Sequence, residues 1–119
     1  VYLLDDRPAF PFFPDVCKYV RRRFFWQARR GTHCEFERSR YEAQRSQYLR
    51  ALQAVAKQLP NVHLLDTSRI FCDDQFCRMG RDGNLFYRDQ NHLTVAGSRA
   101  MAADLAREIT FPIPERAPH

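Results

Sequence analysis

The sequence has only four glycines, two lysines and one tryptophan, and no apolar stretch near the roughly 18–20 residues that a membrane-spanning helix needs. The short apolar runs exclude a helical span. No period repeats along the chain and no segment is of low complexity, which argues against a solenoid; the tail after Pro112 and Pro114 is expected to fray. No Cys-x-x-Cys pair is present, which argues against a zinc knuckle. No initiator Met and no leader-like segment stand before Val1-Tyr2-Leu3-Leu4, so the chain reads as a segment of a longer protein; removal of a signal peptide would leave the same trace.

What is present fits one small soluble domain: 119 residues, 45 % hydrophobic and 28 % charged. The net charge of +5 is carried almost wholly by arginine. It reads as generic surface cation or as a basic face for an anionic partner such as a lipid headgroup or acidic glycan. The run Arg21-Arg22-Arg23 before Phe24-Phe25-Trp26 comes with no nucleic-acid-binding pattern, so nucleic acid is not expected as a partner. The aromatic triplet reads as core or interface.

The even cysteine count, Cys17, Cys34, Cys72 and Cys77, is compatible with two disulfides and then with an oxidising compartment. A Cys72–Cys77 bridge would close a short loop and stabilise by roughly 2 kcal/mol in the chain-entropy picture. Buried free thiols and a zinc site are the rival readings.

Residues 1–5 suggest a short buried strand. Pro8, Pro11 and Pro14 exclude regular structure over 6–15 and predict an extended loop leaving the strand's C-terminal end, the edge where open α/β sheets bind ligands. Residues 16–30 suit a basic helix ending at Gly31. A long helix is expected from about Glu35 to Leu59, with Tyr41, Tyr48, Leu52, Val55 and Leu59 on one face and Arg, Gln and Lys solvated opposite. Pro60 stops it. Val62–Asp66 reads as a second strand, and strand–helix–strand implies parallel pairing through a right-handed crossover. Residues 67–88 read as mostly irregular, with turns at Gly80 and Gly83. Thr94 is a predicted N-cap for a last helix, Val95 to Ile109, with Met101, Leu105 and Ile109 inward, terminated by Pro112 and Pro114.

The chemistry concentrates in Leu85-Phe86-Tyr87-Arg88-Asp89-Gln90-Asn91-His92-Leu93-Thr94-Val95-Ala96-Gly97. An aspartate and a histidine three apart, just before a helix cap, can act as a pair. The carboxylate accepts from one imidazole nitrogen and fixes the tautomer; the other nitrogen is then free to take a proton from a hydroxyl. By spacing alone His92 could equally cap structure. His63 reads as a packed strand residue, His33 as a turn residue and His119 as tail.

Asp89-x-x-His92-Leu93-Thr94-x-x-Gly97 resembles the last signature block of the SGNH hydrolase superfamily. The wider setting resembles the SGNH domain fused behind membrane-bound acyltransferase 3 proteins: a strand reaching an aspartate (Leu64-Leu65-Asp66), a cysteine pair (Cys72, Cys77), a turn, then Phe86-Tyr87-Arg88-Asp89 through Leu93. The opening strand, its proline-bearing loop and Cys17 also fit, and the likeness is strongest from about Val62 to Leu105. The resemblance implies residues 1–119 as the C-terminal portion of a single domain of α/β class: a partial three-layer, flavodoxin-like fold with a βαβ unit, parallel strands and a C-terminal helix. It implies His92 as general base and then general acid, Asp89 as its orienting partner, and no cofactor or metal.

The family's nucleophile stands in a Gly-Asp-Ser block, and its oxyanion hole uses that serine's amide with a Gly and an Asn of other blocks. None of these blocks occurs here; of Ser39, Ser46, Ser68 and Ser98, only Ser68, at a strand exit, is a conceivable stand-in. The isolated chain is therefore expected to be inactive or nearly so. With few strands it should leave sheet edges open, predicting self-association, pairing with the rest of the domain, or cover from the 16–30 segment. The resemblance further implies transfer of an acyl group, acetyl, to a cell-surface polysaccharide at the periplasmic face of a bacterial inner membrane, beside an acyltransferase membrane domain. A non-catalytic glycan- or protein-binding module is the alternative.

Overall fold

The computed structural model describes residues 1–15, 17 and 34–110. The expected basic helix over 16–30, His33, and the tail with Pro112, Pro114 and His119 fall outside the described residues (Cys17 apart).

Strand β1 (Tyr2–Leu4) pairs in parallel with β3 (His63–Leu65), in the register Tyr2↔His63, Leu3↔Leu64, Leu4↔Leu65. Helix α1 (Arg38–Gln58) lies between them in the chain. This is the expected small α/β unit. Asp5 N donating to the Leu65 carbonyl (2.9 Å) and His63 N to that of Val1 (2.8 Å) extend the ladder at both ends. The α1 sequence has no Gly or Pro and is rich in strong helix formers, and Leu59-Pro60 ends it.

Several expectations need correction. The long helix does not begin at Glu35: Glu35–Glu37 is strand β2, antiparallel to β4 (Phe76–Arg78), with Phe36 buried and the glutamates flanking it. Its period-2 alternation is three residues long, too short to compete with the helix-forming pattern that follows. The free Arg38 N–H at the helix start donates to the Gln75 carbonyl (2.8 Å). Nor are residues 67–88 mostly irregular. They form α2 (Ser68–Phe71), β4, and a hairpin of β5 (Gly80–Arg81) and β6 (Asn84–Leu85). The hairpin turns through Asp82 (φ 51°) and Gly83 (φ 81°), the Asp-Gly pair that a two-residue turn with positive φ at both positions favours. Parallel pairing thus holds for one of three strand pairs among the described residues.

The apolar face of α1 is buried at Tyr41 and half-buried at Tyr48 and Leu52, but Val55 and Leu59 are exposed. A 21-residue helix is about 32 Å long, whereas a three-residue strand spans about 10 Å. The helix outruns what lies beneath it. The first strand is likewise not buried throughout: Val1 and Leu4 are exposed, because β1 and β3 have only each other as ladder partners among the described residues. His63 is exposed rather than packed inside, its ring 5.5 Å from that of Tyr2. The last helix, α3, runs Val95–Leu105; Leu105 is buried, and Ile109 is half-buried beyond the helix end.

The core lies between the proline-bearing loop, β2, β4 and the segment before α3. Phe10 meets Phe36 (5.0 Å) and Tyr87 (4.7 Å) edge to face, and Tyr87 meets Phe71 (5.3 Å) the same way. The proline-bearing segment is irregular, as expected, but Phe10 anchors it in the middle of this core. The cysteines form two disulfides, Cys17–Cys34 and Cys72–Cys77, which excludes both the free-thiol and the zinc readings. Cys72 and Cys77 lie in the core.

Candidate active site

The loop that carries Asp89 and His92 is built by local hydrogen bonding. Phe86 N donates to the Met79 carbonyl (2.7 Å), Tyr87 bridges Leu93, and Arg88 N donates to the His92 carbonyl (2.9 Å). The chain leaves and returns along one line, with Asp89, Gln90 and Asn91 at the tip. Thr94 closes the loop twice. Its N–H donates to the Phe86 carbonyl (2.9 Å) and its hydroxyl to that of Leu85 (2.7 Å), while its Oγ1 accepts from Gly97 N (3.1 Å) as the expected N-cap. Gly97 is required by close approach: a Cβ there would overlap the Phe86 carbonyl.

At the tip, Asp89 Oδ1 accepts from the backbone N–H of Asn91 (3.0 Å) and of His92 (2.7 Å), and Oδ2 lies 2.8 Å from His92 Nδ1. These two backbone N–H groups, with the imidazole, hold the Asp89 carboxyl down at about 2. Asp89 is therefore ionised at neutral pH and can only accept, so Nδ1 carries the hydrogen of the shared bond. Neutral His92 then bears its lone pair on Nε2. That nitrogen has no hydrogen-bond partner among the described residues, and the side chain is 58 % exposed. The pair can accept a proton from a hydroxyl brought to Nε2 and return it.

Three contacts from the loop after β1 fasten this tip. Tyr87 OH donates to the Pro8 carbonyl (2.9 Å), Phe10 N to the Gln90 carbonyl (2.8 Å), and Arg7 uses Nε (2.9 Å) and Nη2 (2.7 Å) on the Asn91 carbonyl. Tyr87 is fully buried, and burial pushes its hydroxyl well above its ordinary value, so it stays a donor. No sequence period connects residues about 80 positions apart, so these anchors were not legible beforehand.

Residues 1–107 match the family described as the SGNH domain fused to AT3 domains. The chain belongs to that family. Such a domain is a hydrolase- or acyltransferase-like module, and its fusion to AT3 domains gives the parent protein an acyltransferase membrane portion. No curated protein and no solved structure matches the chain. No helix among the described residues is long and apolar enough to cross a membrane.

The remaining polar groups of this SGNH chain lie elsewhere. Ser68 is fully buried at the start of α2, where its N–H donates to Asp66 Oδ1 (2.8 Å), and it makes no hydrogen bond to His92. The expectation that the Arg, Gln and Lys positions of α1 are solvated fails at Arg45. Its guanidinium is buried and pairs with Asp5 and with Glu42 Oε2 (2.8 Å), and it reaches Asp66 Oδ1 at 3.4 Å. Spacing holds the signal, since Arg45 falls between Tyr41 and Tyr48 on the inward face. Asp5 and Asp66 follow the ends of β1 and β3 directly, so the cluster ties the helix to the parallel pair. A cleft of about 460 Å³, lined by Ile70, Phe71, Asp73, Arg78 and Arg81 among others, contains neither Asp89 nor His92. Arg78 there is engaged by Asp73 and by Glu35. This cleft and the candidate chemistry are separate. The chemistry has the stronger claim, because Nε2 is presented with its partner already in place. Among the described residues no group of His, Cys, Asp and Glu could hold a metal ion.

Proposed function

We propose that Asp89 and His92 are the orienting acid and the general base of an acyl-transfer site. Its serine and oxyanion donors would come from a preceding part of the same flavodoxin-like, three-layer domain, of which residues 1–119 are the C-terminal portion. The observation that carries this reading is the Asp89–His92 Nδ1 contact of 2.8 Å, with Nε2 left unpartnered among the described residues. The sheet edges that β1 and β3 leave unpaired among the described residues, and the lack of a Gly-Asp-Ser block, support it.

In the proposed reaction, His92 Nε2 takes the serine proton as Oγ attacks the acyl carbonyl carbon. The tetrahedral adduct collapses, and the donor's leaving group departs with that proton. A sugar hydroxyl then gives its proton to Nε2 and attacks the acyl-serine; collapse releases the ester, and His92 returns the proton to Oγ. Asp89 keeps Nδ1–H in place and stabilises the imidazolium in both halves. The acceptor is a cell-surface polysaccharide hydroxyl, the acyl group acetyl, and the location the periplasmic face of the membrane holding the AT3 portion. The fusion to AT3 domains supports acyl transfer beside a membrane portion, and the two disulfides, which an oxidising compartment maintains, support the periplasmic side.

The test is ester hydrolysis, with p-nitrophenyl acetate, by the complete domain and its His92→Ala variant. Loss of roughly 10³-fold or more is expected. Unchanged turnover in the variant would make the pair structural and favour a glycan- or protein-binding module.

A further inference from the structure

Arg7 stands apart from the other described arginines near the site. It makes no ion pair among the described residues; both hydrogen bonds recorded for its guanidinium go to one neutral acceptor, the Asn91 carbonyl, at 2.9 Å and 2.7 Å. That carbonyl belongs to the same peptide group as the His92 N–H, which donates to Asp89 Oδ1 at 2.7 Å. The peptide preceding His92 is thus gripped from both sides, a cation on its oxygen and an anion on its N–H. The two partners polarise it in the same sense, so each bond strengthens the other. This peptide sets the direction in which His92 leaves the backbone, and hence whether Nδ1 meets Asp89.

We propose that Arg7 is a positioning residue for His92, locking through the Asn91–His92 peptide the geometry that keeps Nδ1 on Asp89 and Nε2 free. This rests on the reading of His92 as general base and extends it to a residue 85 positions upstream. A fork of two donors on one oxygen fixes the peptide's orientation as well as its position. A lysine ammonium would fix position alone. Plain attachment of the loop is already supplied by Phe10 N to Gln90 and by Tyr87 OH to Pro8, neither of which needs a cation.

The experiment compares Arg7→Met, Arg7→Lys and His92→Ala in the complete serine-containing domain, by kcat and KM on p-nitrophenyl acetate. A second readout is the ¹⁵N chemical shifts of the neutral His92 ring, which report its tautomer without catalysis. Misplacing a catalytic group by about 1 Å costs on the order of 100-fold in rate. Arg7→Met should therefore lower kcat by about 10- to 100-fold with KM within about twofold, and should turn a single Nδ1–H tautomer into a mixture. Arg7→Lys should recover part of both. The proposal is overturned if Arg7→Met keeps kcat within about twofold while His92→Ala is inactive, or if kcat falls with the tautomer unchanged. Should His92→Ala stay active, the general-base reading fails, and the ring shifts still decide what Arg7 does. If Arg7→Met does not fold, the lysine variant carries the same comparison.

Discussion

Replacing Arg45 by methionine tests the burial that ties α1 to the parallel strands. The Arg45 side chain is 7 % exposed and that of Asp5 1 %. Arg45→Met keeps most of the volume but leaves Asp5 buried without its cation, and Glu42 loses the same partner. Removing one member of a buried pair costs about 3–5 kcal/mol. For a chain of this size that is a fall of roughly 10–20 °C in thermal midpoint. The pH dependence gives the argument its direction. Burial already pushes the Asp5 carboxyl above its ordinary value despite the pull of Arg45. A carboxyl raised in the folded state favours folding most below its unfolded value, near 3.8, and that benefit is lost as pH rises through the folded value. Without Arg45 the rise is larger. Glu42, held low chiefly by its bond to Arg45, adds a contribution of the same sign. The deficit of Arg45→Met against wild type should therefore be small near pH 3 and full at pH 7, read from urea unfolding at both. Asp5→Leu combined with Arg45→Met should recover most of the loss. A cost below about 1 kcal/mol at pH 7, or equal costs at the two pH values, would refute the claim that Arg45 and Asp5 form a buried pair.

Two further outcomes follow from the loop. Thr94→Ala removes both the cap on Gly97 N and the bond to the Leu85 carbonyl, and should cost about 1–2 kcal/mol in urea unfolding, with Thr94→Ser retaining most of it. Asp89, held at about 2 by the Asn91 and His92 amides, should keep the loop tip in place from above pH 3.8 downward and release it only as pH falls through that lower value. The amide shifts of Asn91 and His92 would then titrate near 2, and a midpoint at the ordinary carboxylate value would contradict the bonds described.

What was legible in the sequence was what lies within one turn or one period. Asp89 and His92 meet because they stand three positions apart in a loop whose own N–H groups fill the carboxylate, and Thr94 caps because Gly97 follows at the cap spacing. The parallel pair was legible for the same reason: two apolar runs of strand length flank an uninterrupted helical pattern. The short ladders β2–β4 and β5–β6 were not, because two or three residues cannot print a period, although Asp82-Gly83 did mark its turn.

The sequence by itself therefore determined the strand–helix–strand unit, the capped loop and the Asp89–His92 pairing, all of which depend on neighbours along the chain. Only the tertiary structure decided that Arg45 is buried, that Ser68 is sealed away from His92, and that Arg7, Phe10 and Pro8 hold the tip of the loop. Those contacts join residues 40 to 84 positions apart, or depend on what packs over a residue. Those at the loop tip exist only once hydrophobic packing around Phe10 and Tyr87 has brought residues 7–10 against residues 87–91.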